Sequence, residues 1–184
     1  MANGQWLKAQ KIMSKKQFYT VPFVWDRTLW VLTFAFFVLW VGLSGWLLYM
    51  VFNSGDAVSY LTPLVILNVT FLPTMIACEG LAPQRLEISA DGIVVLRRYK
   101  SVVISREEIK SIEPLTKNDM RGAIRIGGVS GLFGYFGNYY TRKIGSFKLY
   151  ATSFKNLYLI RKWDGKSVVI SCSEPDKMEK FING

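Results

Sequence analysis

Two uncharged runs restrict this chain more than any other feature. Thr28–Phe52 supplies 25 residues without a charge, and Ala57–Cys78 supplies 22 more. A hydrocarbon core about 30 Å thick needs about 20 helical residues, so each run is long enough to cross it. Only Asn53-Ser54-Gly55-Asp56 separates them, a polar link suited to a tight helical hairpin. Trp25, Trp30, Tyr49 and Tyr60 lie near the ends, where aromatic rings favour the membrane interface. Helices of a soluble bundle carry a polar stripe, and the first run has none. The second is interrupted by Pro63, Asn68 and Pro73; a proline removes a backbone donor and predicts a kink. Asn68 reads as a helix–helix hydrogen bond, within the hairpin or a dimer, or as part of a transport pathway. Two helices without an intramembrane charge argue against the pathway. The first run starts after 27 residues, exceeds a signal-peptide core and lacks an A-x-A site, so it reads as an uncleaved anchor.

Charge orients the hairpin. The chain has 23 Lys and Arg against 13 Asp and Glu, a formal charge of +10. Residues 28–84 hold none of the cations. Lys8, Lys11, Lys15, Lys16 and Arg27 precede the spans, and the other eighteen follow them. Positive charge thus flanks both spans on one side, which places both termini in the cytoplasm. Trp6, Leu7, Ile12 and Met13 interleave with the early lysines. That leader reads either as an interfacial helix on an anionic leaflet or as a disordered basic segment that sets orientation. Gln17–Val21 reads as extended ahead of Pro22. The organisation is therefore a basic N-terminal segment (1–27), a transmembrane hairpin (28–78, spans 28–52 and 57–78) and a cytoplasmic domain (79–184).

The last part has the period of strands. Leu86 and Ile88 alternate with Glu87 and Ser89, Ala90-Asp91-Gly92 turns, and Ile93–Arg98 completes a hairpin. Ser101–Ile104, the stretch around Ile109 and Ile112 ending at Pro114, Ala123–Gly127, Phe147–Thr152 and Asn156–Arg161 are further extended segments. Asp164-Gly165 is a hairpin signal before Ser167–Cys172. Ser173-Glu174-Pro175-Asp176 then opens a helix with Met178, Phe181 and Ile182 on one face. Seven or eight short antiparallel strands and a terminal amphipathic helix suggest a small barrel or orthogonal sandwich with a helix plugging one end.

The hairpin RLEISADGIVV, the stretch SREEIKSIEPL, the segment GGVSGLFGYFGNYYTRKIGSFKLYATSFKNLYLIR and the close VVISCSEPDKMEKFI resemble a bacterial pleckstrin-homology-like (PH) domain, of the family whose members often follow membrane spans. The resemblance covers roughly residues 80–183. It implies an all-β barrel of about seven antiparallel strands capped by the C-terminal α-helix, in a bacterial inner-membrane protein. It implies a binding platform rather than a reaction.

Residues 127–147 are the least ordinary. Gly128, Gly131, Gly134 and Gly137 recur every third residue, with Leu132, Phe133, Tyr135, Phe136, Tyr139 and Tyr140 between or after them and Arg142 and Lys143 next. Neither a phosphate-binding GxxxxGK[ST] nor a dinucleotide fingerprint is present. Three readings stand: an ordered inter-strand connection whose aromatics pack on the barrel, a loop dipping into the bilayer, or a protein-docking surface. Inositide-binding PH domains carry basic residues around the first hairpin. Here Glu87 and Asp91 occupy it, and Arg97, Arg98 and Lys100 lie only beyond it. These three read as a solvated strand end or as attraction to anionic lipid.

No histidine is present, which removes the commonest general base and metal ligand. Glu107 and Glu108 are adjacent and on a strand would face opposite ways; Cys172 falls on the predicted core face. The expectation is a non-enzyme with no cofactor, metal, nucleic-acid partner or small-molecule substrate. Its partners are the bilayer and a protein or a second copy of the chain. The leading reading is a membrane-anchored scaffold presenting a protein-interaction surface. Alternatives are an anionic-lipid-binding module using the Gly/aromatic loop and basic residues, or an accessory subunit of a transport or envelope complex.

Overall fold

The computed structural model describes residues 18–183; the basic leader, with its lysines, lies outside them. Strand β1 (Phe18–Pro22) precedes helix α1 (Arg27–Asn53), which the three residues Ser54, Gly55 and Asp56 join to α2 (Ala57–Leu81). Asp26 caps α1, its carboxylate accepting from Leu29 N at 2.7 Å. Asp56 does the same for α2, accepting from Ser59 N and, at 2.6 Å, from Ser59 Oγ. α2 continues through Pro63 and Pro73. Trp40 stacks on Phe71 (5.0 Å), Trp46 meets Tyr60 edge-on, and Asn68 Nδ2 donates to Ser44 Oγ at 3.5 Å. Asn68 therefore bonds within the hairpin. Both helices are long and apolar enough to cross a membrane, and 11% of each span is buried inside the chain. A core helix of a soluble protein is mostly covered, whereas here Phe34, Leu39, Phe52 and Val69 lie bare.

Nine strands follow: β2 (Arg85–Ser89), β3 (Gly92–Leu96), β4 (Val102–Ser105), β5 (Ile109–Leu115), β6 (Ile124–Ser130), β7 (Tyr135–Thr141), β8 (Gly145–Ala151), β9 (Leu157–Lys162) and β10 (Ser167–Ser171), then helix α3 (Pro175–Asn183). They form two open sheets, ordered β1-β2-β3-β4 and β5-β9-β10-β8-β7-β6. The architecture is PH-like with its terminal helix, but the sheets do not close into a barrel. Three details depart from the sequence reading. β8 and β10 pair in parallel. β7 lies inside the glycine–aromatic segment. β1, from ahead of the two apolar helices, pairs along its whole length with β2, so the segment preceding those helices contributes a strand to the domain that follows them.

β7 escapes a period-two reading because both its faces are covered. Tyr135 and Tyr139 go to one side of the large sheet and Phe136 to the other, all at most 5% exposed. A strand buried on both faces reads as a continuous apolar run. One core lies between the sheets, with Leu86, Ile88, Ile93, Phe136, Ile160 and Ile170, and α3 adds Met178 and Phe181 to it. Arg106 fastens α3 by donating to Phe181 O and stacking on the Phe181 ring at 4.4 Å. The second core lies on the opposite face of the large sheet. β5 and β6 are its two edges, so Thr116–Ala123 crosses that face between them and lays down Met120; the start of α1 lays down Leu29 beside it.

Glu107 and Glu108 sit in a 3-10 turn (Arg106–Glu108) rather than on a strand, and Glu108 holds Lys162 at 2.9 Å. Cys172 is in the inter-sheet core, 1% exposed, and burial pushes its thiol up.

Candidate functional site at the helix–sheet junction

The large sheet meets α1 at one end. Gly131–Gly134 joins β6 to β7 and lies against the first turns of α1. Thr33 Oγ1 donates to Gly131 O and accepts from Phe133 N, both at 3.4 Å. Phe133 meets the Trp25 ring edge-on at 5.9 Å, and Trp25 in turn meets Trp30 at 5.5 Å. Gly131 has φ +96° and approaches Leu32 closely, a backbone state and a contact that a side chain would oppose. The regular glycine spacing has a second origin. Gly128 and Gly137 are cross-strand partners, each with positive φ, and a Cβ on either would strike the other's strand.

The aromatic residues singled out in the sequence divide. Tyr135, Phe136 and Tyr139 are core; Tyr139 Oη donates to Val129 O at 3.1 Å. Burial, then the neighbouring Asp26 carboxylate, pushes Tyr135 up to about 12. Leu132 and Phe133 are half-buried in the loop against α1. Only Tyr140 is exposed, at 41%. Arg142 and Lys143 are exposed at the far end of β7. Lys143 pairs with Asp119, which also accepts from Thr116 N at 2.9 Å and Thr116 Oγ1 at 2.8 Å. The Lys143 bond and the Thr116 bonds pull the Asp119 carboxyl down to about 2.

Arg97, Arg98 and Lys100 belong to a different place, the β3–β4 turn at the end of α2. Arg98 pairs with Glu79 at 3.0 Å. Arg97 stacks on Tyr150 at 5.3 Å and donates to Lys100 O at 2.5 Å, while Lys100 stays exposed. Tyr99, which the sequence did not single out, lies over Gly80 and donates Oη to Ile76 O at 3.4 Å. The candidate residues thus form no single patch. They split between the foot of α1, the end of α2, the two cores and the exposed far end of β7 with Tyr140, Arg142 and Lys143.

Two features carried no sequence signal. A cleft of about 710 Å3 opens beside the first turn of α1, bounded by Trp25, Arg27, Lys117, Phe154 and Lys155. Asp26 N donates to Thr152 O (3.1 Å) and Thr152 Oγ1 to Val24 O (2.8 Å), which fixes its back wall. Arg27 and Trp25 were visible as span-boundary residues, but nothing in the sequence joins them to Lys117 or Lys155. The second feature is the edge position of β6, whose Ile124 and Ile126 the sequence marked as extended but not as lying at the margin of a sheet. Among the described residues it pairs only with β7, and Ile124 and Ile126 are each 65% exposed, with Ile126 at a bulge. Among the described residues no three His, Cys, Asp or Glu side chains converge as metal ligands.

No curated protein and no solved structure matches the chain. A family model described as a bacterial PH domain matches residues 84–184, more than half of it.

Proposed function

The chain belongs to the bacterial PH domain family, and from that membership we propose a membrane-anchored scaffold that holds a protein segment on the free edge of β6. The two apolar helices cross the bacterial inner membrane, with both termini and the PH-like domain in the cytoplasm, as the charge distribution favours. The observation that carries the docking reading is the state of β6. Among the described residues, the seven of this strand have one side of their backbone unpaired and bear Ile124 and Ile126 in the open. Such an edge templates an added strand. Most aromatics of the neighbouring segment do not compete as a docking surface, because Tyr135, Phe136 and Tyr139 are packed inside and only Tyr140 is exposed. The Ile124 end of β6 is opposite the loop that touches α1, so the edge reaches away from the bilayer. α1 is built into the second core, so the domain is held rather than dangling.

A photo-crosslinking side chain in place of Ile126, in native membranes, tests this. One discrete adduct is expected, to a protein or to a second copy, and Ile124→Lys is expected to abolish it. Adducts to lipid alone would remove the reading.

One observation favours a second reading, a lipid-surface module. The Arg97–Lys100 turn is pinned to the end of α2, at the headgroup level of the span. Salt-sensitive crosslinking of anionic lipid to a photoreactive side chain at Lys100 of the full chain would support it.

A further inference from the structure

We infer that the cleft at the foot of α1 binds the phosphate headgroup of an anionic phospholipid. The inference rests on α1 and α2 spanning a bilayer, and not on the docking role of β6.

Position is the first argument. Thr28, which lines the cleft, is the first residue of the uncharged run, and Trp25 and Trp30 form an aromatic pair beside it. Paired tryptophans at the end of a span sit at headgroup depth. The Gly131–Gly134 loop touches Thr33, further along the same helix. The cleft therefore opens where lipid phosphates lie.

Charge is the second. Arg27, Lys117 and Lys155 line the cleft, and none of their side chains has a hydrogen bond or ion pair among the described residues. Nearby cations are engaged: Lys143 with Asp119, Arg98 with Glu79, Lys177 with Glu174. The one carboxylate of the lining, Asp26, caps α1 through the Leu29 amide and is outnumbered by the three cations. A concave site with unspent positive charge and low-dielectric walls concentrates anions.

Shape is the third. About 710 Å3 falls within the usual range of small-ligand sites. Phe23, Trp25 and Phe154 supply an apolar floor for glycerol and the first acyl carbons. A soluble phosphate would use the cations and leave that floor idle.

The test uses the full chain in detergent, with lipid retention read by native mass spectrometry. One phosphatidylglycerol per chain is expected to be retained where phosphatidylcholine is not, and millimolar glycerol phosphate should fail to displace it. Lys117→Gln/Lys155→Gln should weaken retention about thirty-fold, and Lys117→Arg/Lys155→Arg should restore it. Lys110→Gln/Lys166→Gln removes equal charge at the other end of the sheet and should change nothing. Equal retention of both lipids, displacement by glycerol phosphate, or full retention by the Lys117→Gln/Lys155→Gln chain would overturn the assignment. Membrane insertion is scored separately by carbonate extraction, so loss of the anchor is not mistaken for loss of the site.

Discussion

Thr33 and Gly131, ninety-eight positions apart, are joined by a 3.4 Å hydrogen bond from the threonine hydroxyl to the glycine carbonyl. The same hydroxyl accepts from Phe133 N, so one side chain inside an apolar helix satisfies two backbone groups of a loop. Thr33→Val keeps the shape and strands both groups. A loss of about 1 kcal/mol is expected, with faster hydrogen exchange confined to the amides of 131–134. Unchanged exchange there would show that the loop stands without the helix.

Leu29 is fully buried among Met120, Tyr135, Tyr139 and Leu149, although it sits in the first turns of a span. Leu29→Ala should cost about 2–5 kcal/mol, read as a fall in the melting temperature of the detergent-solubilised chain. A polar face would be tolerated at this position if α1 were only a tether, so the magnitude discriminates.

Asp119 pins the Thr116–Ala123 crossing through Thr116 and Lys143. Its folded-state pKa, about 2, lies below the unfolded value. The stabilisation is therefore complete above about pH 4 and fades as pH falls through about 2. Asp119→Asn should melt lower than the parent at neutral pH, and the two should converge under strong acid. A constant difference across that window would show that the carboxylate's charge is irrelevant.

Glu87 Oε2 is buried without a hydrogen-bond partner among the described residues, and burial pushes this carboxyl up. An acid with a raised folded pKa destabilises the fold once ionised, above that pKa. Glu87→Gln should raise the melting temperature at pH 7, by less than about 1 kcal/mol because water still reaches part of the side chain, and the gain should shrink in acid. A lower melting temperature at pH 7 would contradict this.

The orientation is read at the link between the helices. Ser54→Cys should react with a membrane-impermeant maleimide added to the outer face of intact cells, whereas Cys78 and Cys172 are buried. Labelling of Ser54→Cys only after the membrane is opened would reverse the topology.

What the sequence determined is whatever depends on local pattern. Uncharged length yields the two spans and Asp56 their turn. Alternation yields β2, and the turns Ala90-Asp91-Gly92 and Asp164-Gly165 mark the apolar runs of β3 and β10. Met178 and Phe181 yield the buried face of α3. Each signal needs only neighbours within a few residues, and polarity reports burial directly there. Tertiary structure decided the rest. For Tyr135 and Phe136 the sequence left packing on the barrel, lipid contact and protein docking open, because a strand covered on both faces loses its period; the fold selects packing. Phe18–Pro22 became an edge strand of a sheet whose other strands lie beyond the hairpin. Arg27, Lys117 and Lys155 share a cleft only because the Thr116–Ala123 crossing and the β8–β9 connection meet the foot of α1. Such meetings bring together residues more than thirty positions apart, and no local propensity encodes them; they follow from burying apolar surface on both faces of one sheet.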